Sequence, residues 1–144
     1  MKILEKRDCD LILPIEGDSL VSFCETGLTG MVFESQISEQ SLIMFEDELR
    51  ISDSNSSYVI CGTKPGTGFW RADLLRLDYL IGCRLKEAVA RYNGCMILSF
   101  ETGERLEIES TTGYEAWHFQ YPRPHTRTVK HSISVHGAQG FLIY

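Results

Sequence analysis

A chain of 144 residues, 43% hydrophobic and 24% charged, is long enough for one domain that buries a substantial core. Its formal net charge of −6 argues against nucleic acid as a partner, because phosphates repel an acidic surface. No apolar run approaches the ~20 residues of a membrane helix, and the charged opening MKILEKRDCD lacks the apolar core of a secretory signal, so a cytoplasmic location is expected.

The charge is unevenly placed. Residues 1–60 carry twelve acidic side chains against four basic ones, whereas residues 61–144 carry eight against ten. Net acidity suits a basic protein partner as well as plain solubility. Cys9, Cys24, Cys61, Cys83 and Cys95 are odd in number, scattered and free of CxxC or Cys/His spacing. Buried free thiols are therefore expected, not a zinc site or a disulfide framework.

In chain order, short β-strands dominate. Residues 9–16 (CDLILPIE) open with an apolar run that Pro14 interrupts, which makes this strand short or places it at an edge. Gly17-Asp18 turns the chain. Residues 20–24, 30–33, 41–45, 49–51 and 58–61 read as strands, separated by Gly-containing, acidic or Ser/Asn-rich turns. The connector 62–68 (GTKPGTG) lacks the spacing of a phosphate loop. Residues 69–81 (FWRADLLRLDYLI) place Leu74, Leu77 and Ile81 at helical spacing, with Gly82 as a C-terminal stop, and predict the one main helix.

Residues 84–121 hold the clearest strand grammar. Asn93-Gly94 predicts a hairpin with both turn residues at positive φ. The strand 95–100 follows, then a turn at 101–104, then the alternating run RLEIE at 105–109. In YEAWHFQY (114–121), Tyr114, Ala116, His118 and Gln120 share one face, and Glu115, Trp117, Phe119 and Tyr121 the other. The basic loop 122–130 leads to strands at 131–135 and 141–144. The expected fold class is α+β, predominantly antiparallel β, as a sandwich or partly open barrel in one domain. An acidic β-unit spans 1–61, a connector and helix 62–82, and a second β-unit 83–144. LIMFEDELRIS (42–52) echoes LSFETGERLEIES (98–110), so the two units are readable either as a duplication or as shared hairpin grammar.

Candidates for chemistry are few. His118, His125, His131 and His136 are spaced seven, six and five apart, without accompanying ligand grammar, so no metal is expected. Cys95 begins an apolar strand, where a thiol is inert, so a Cys95/His118 nucleophile pair is not favoured. Glu107 and Glu109 share one wet strand face and do not bracket a cleft. No cofactor and no catalytic residue is assigned. The aromatic strand 114–121 followed by PRPHTR joins large rings to cationic donors, the combination that dominates protein-binding hot spots. Trp117 and Phe119 read as core. Tyr121, Arg123 and Arg127 read as exposed contact residues, and the acidic turn Glu46-Asp47-Glu48, with Asp53 nearby, is the second contact candidate.

The run 80–119, LIGCRLKEAVARYNGCMILSFETGERLEIESTTGYEAWHF, resembles a family of small bacterial cytoplasmic proteins. The shared features are a Gly before a strand, an apolar strand ending in Phe-x-x-Gly, a Leu-x-Ile strand and a closing Glu-x-Trp. Members of that family are similar to immunity proteins of secreted polymorphic toxin systems. The resemblance implies tight binding to one cognate toxin domain with a basic surface, without catalysis. The alternative is a small β-rich ligand binder or enzyme with a pocket near His118.

Overall fold

The computed structural model describes residues 3–26, 28–45, 48–61, 76–108, 117–123, 133–138 and 140–143. Thirteen strands fill most of the described residues: β1 (Glu5–Arg7), β2 (Asp10–Ile12), β3 (Ser19–Thr26), β4 (Leu28–Glu34), β5 (Gln40–Phe45), β6 (Glu48–Ser52), β7 (Ser57–Cys61), β8 (Leu85–Ala90), β9 (Met96–Phe100), β10 (Arg105–Ile108), β11 (Trp117–Tyr121), β12 (Ile133–Ala138) and β13 (Gly140–Ile143). They form two antiparallel sheets, ordered β1-β2-β8-β9-β10-β6-β7 and β13-β12-β11-β5-β4-β3.

Strand alternation builds the core. In the seven-stranded sheet, Leu11, Ala90, Met96, Ile108 and Leu49 lie side by side across five strands. Ala88, Leu98, Leu106 and Ile51 form the next row. In the other sheet, Val135, Phe119, Ile43 and Met31 make a matching row. All of these side chains belong to one buried cluster, so the sheets pack face to face as a sandwich. The Trp117 indole nitrogen donates a 2.7 Å bond to the buried carbonyl of Gly94, tying β11 to the β8–β9 turn in the opposite sheet. Losing that bond would strand a buried acceptor, at about 1–3 kcal/mol.

One edge is sewn shut. Leu13 N donates to Ala88 O (2.9 Å), Gly17 N to Leu85 O (2.8 Å), Leu85 N to Asp18 O (2.8 Å), Leu20 N to Cys83 O (3.0 Å) and Gly82 N to Leu20 O (2.7 Å). The chain thus leaves the seven-stranded sheet after β2, runs along β8, and enters the other sheet as β3.

Three hairpin loops share one design. Arg91 N bonds Cys95 O and Gly94 N bonds Arg91 O. Phe100 pairs with Glu104 and Gly103 in the same way, as does Ser35 with Glu39 and Ser38. Each is a three-residue loop whose last residue has positive φ: Gly94 (97°), Gly103 (106°) and Ser38 (64°). The expectation that both Asn93 and Gly94 reach positive φ is corrected, since Gly94 alone does so. Asn93 instead accepts a 3.1 Å bond from Cys95 N.

The predicted main helix over 69–81 is also corrected. Its described part, from Arg76, forms a 3-10 turn at Asp78–Leu80; residues 69–75 lie outside the described chain. Leu77 and Leu80, three apart, are buried, while Ile81 is 43% exposed, which is the period of a 3-10 turn and not of an α-helix. No helix among the described residues is long and apolar enough to cross a membrane. The echoing segments take different structures: β9 and β10 pair as a hairpin in one sheet, whereas β5 and β6 belong to different sheets.

These loops predict two opposite substitutions. Gly103→Ala, where a Cβ would meet nothing within 4 Å, isolates backbone strain and should cost about 1 kcal/mol. Ser38→Gly should instead relieve strain and hold or raise stability by a few tenths of a kcal/mol, net of the entropy that glycine adds to the unfolded chain. Urea denaturation of both variants reads the two signs.

Candidate functional site

An exposed aromatic and charged cluster forms where the turn after residue 75 meets β7. The Arg76 guanidinium lies 4.5 Å from the centroid of the Tyr58 ring, within cation–π range. The Tyr58 hydroxyl acts on the Tyr79 phenol, which also feels the charges of Glu104 and Asp53. Tyr79 is 52% exposed and Ile81 and Val59 are exposed nearby in the chain, whereas Tyr58 packs partly against the core. The strands explain this placement. Tyr58 pairs with Ile51 and therefore points to the inner face at the sheet's edge, where it packs partly against the core. Asp53 belongs to the β6–β7 hairpin tip and Glu104 to the β9–β10 tip, so two tips flank one tyrosine pair.

Two groups here are displaced from their ordinary titration. Partial burial, followed by the Tyr58 hydrogen bond and the neighbouring negative charges, pushes the Tyr79 phenol up to about 12. It therefore stays neutral, a hydrogen-bond donor, at any physiological pH. Asp53 Oδ1 accepts the backbone N–H groups of Asn55 (2.7 Å) and Ser56 (2.8 Å), which holds its carboxyl below the usual 3.8.

The contact residues expected from sequence are dispersed. Asp53 is exposed and joins this cluster. Glu46, Asp47 and Arg127 lie outside the described residues, as does the side chain of Glu48, whose backbone opens β6. The expected exposure of Tyr121 is corrected: it is 4% exposed, because alternation places it on the inner face with Trp117 and Phe119. Its hydroxyl donates to Glu39. Arg123 is half-buried and held at the β4–β5 turn, donating from its backbone N to Gln40 O (2.8 Å) and from its guanidinium to Gln40 Oε1 (3.2 Å). The expectation of buried thiols is corrected as well, since Cys9 is exposed and Cys83 and Cys95 are half-buried; the side chains of Cys24 and Cys61 lie outside the description.

His118 is half-buried on the outer face of its sheet, with Nε2 2.9 Å from Ser134 Oγ. The grooves described in the structure lie elsewhere. Two adjoining open depressions, of about 190 and 360 Å³, share Gly17, Ser35, Gln36 and Arg84. Arg84 Nε donates to Gly17 O at 3.2 Å. Among the described residues no three His, Cys, Asp or Glu side chains converge as metal ligands. Tyr58, Arg76, Tyr79 and Glu104 were not legible as a site, because a helical reading of 69–81 leaves Arg76 and Tyr79 as ordinary solvated positions. The available signal was the mixture of ring and charge in RLDY (76–79). No protein-family model, no curated protein and no solved structure matches this chain.

The raised Tyr79 value has a definite consequence for stability. Its folded pKa lies above the ordinary 10, so its contribution is fully present below pH 10 and is lost as pH rises through about 12. Thermal melts should show a decline across pH 10–12 that Tyr79→Phe flattens. An ultraviolet titration should show one fewer late-ionising tyrosine in Tyr79→Phe than in the wild type.

Proposed function

We propose that this protein is an immunity-type binding protein that neutralises a cognate secreted toxin domain in the cytoplasm by protein–protein contact and transforms no substrate. The observation that carries this reading is the cluster of Tyr79, Tyr58 and Arg76 beside Asp53 and Glu104. Tyrosine and arginine supply most hot-spot energy, and the acidic rim suits a basic partner. The resemblance of residues 80–119 to immunity proteins points the same way, and so does the net charge of −6. Asp53 and Arg123 remain contact candidates, together with the acidic turn 46–48 and Arg127. Tyr121, being buried, does not.

The test measures affinity for any toxin-like domain found encoded beside this gene. Arg76→Ala and Tyr79→Ala should each weaken binding at least about tenfold, or 1.4 kcal/mol. Reversing Glu46, Asp47 and Glu48 to lysine should slow association and reduce its salt dependence. Binding that is indifferent to all of these variants, or toxin inactivation that outlasts removal of the protein, overturns the proposal.

A further inference from the structure

Open sheets end in strands whose outward N–H and C=O groups have no ladder partner, and proteins blunt such edges with charge, bulges, brevity or cover. All four devices are visible here. β1 is three residues long and wholly charged (EKR). β3 carries a register shift between Leu20 and Ser22, and its start is bonded to Gly82 and Cys83. β7 has none of them among the described residues. Its sequence, SYVIC, is uncharged, free of proline and rich in β-formers, and its five residues pair with β6 without a bulge. Val59, at its centre, is 38% exposed.

We propose that β7 is a self-association edge, along which a second copy of this chain pairs antiparallel about a two-fold axis at Val59. An edge strand's unpaired backbone is matched best by another strand, and this edge is complementary to itself. In the two-fold register Val59 meets its own symmetry mate, Tyr58 meets Ile60, and Ser57 meets Cys61, so no charge is trapped in the ladder. The charged groups Arg76, Asp53 and Glu104 gather at the Tyr58 end of the strand, off the axis, so the two-fold sets neither sign against itself. The two seven-stranded sheets then join into one. The proposal does not rest on toxin binding and stands or falls separately from it.

Sedimentation equilibrium of the full chain tests it. The wild type should show a reversible monomer–dimer equilibrium. Val59→Lys sets two ammonium groups against each other across the axis and should weaken dimerisation at least about tenfold. Val59→Thr, still β-branched and uncharged, should retain it. Should Val59→Lys fail to fold, hydrogen exchange on the wild type replaces it, and the amides of Ser57–Cys61 should gain protection as protein concentration rises. A monomer at all concentrations overturns the proposal. So does a dimer that Leu142→Lys, in the other uncharged edge strand β13, dissociates while Val59→Lys leaves it intact.

Discussion

The structure depends on the run of backbone hydrogen bonds between residues 13–20 and residues 82–88. Two antiparallel sheets packed face to face are held by side chains alone unless the chain itself crosses between them in a paired state. Here it does. The segment after β2 keeps bonding to β8 while it climbs out of one sheet, and it delivers β3 into the other. Polar backbone that would be orphaned at a buried corner is satisfied in transit, which is the condition for burying that corner at all. The inner rows of both sheets then close on one another with Leu13, Ile15 and Leu20 as the filling along the seam.

The same seam positions the surface features. Gly82–Leu85 runs directly from it to the Tyr79 cluster: Cys83 Sγ donates to Tyr79 O at 3.6 Å, and Arg84 O accepts Glu101 N at 2.9 Å, anchoring the β9–β10 tip that carries Glu104. Arg84 itself lines both open grooves on the side of Gly17. Rigid main-chain bonding thus lies beneath an exposed set of rings and charges, the arrangement in which little ordering entropy is lost when a partner docks.

How far the sequence reveals this differs by element. Strands and turns were readable because alternation and Gly or acidic breaks are local signals, and the face assignment of Trp117 and Phe119 followed from them. Tyr121 shows that alternation outweighs the polarity of a neighbourhood: two positions beyond Phe119 it must point inward, whatever PRPHTR suggests about the loop behind it. The stretch before Gly82 misleads for the opposite reason. Leu74, Leu77 and Ile81 imitate a helix, but Leu80 takes the buried place that Ile81 was expected to fill, and a short turn needs only two inward leucines. The site was less legible than the fold, since Tyr58, Arg76, Tyr79 and Glu104 come from three separate stretches and meet only once the seven-stranded sheet is built.

Amide hydrogen exchange across the seam tests the account most directly. If the two sheets form one cooperative unit through that seam, the amides of Leu13, Gly17, Leu20, Gly82 and Leu85 exchange only by global unfolding, with the same opening free energy as Ile43 in one sheet and Leu98 in the other. Fast exchange at those five amides, or two distinct opening free energies for the two sheets, would contradict it.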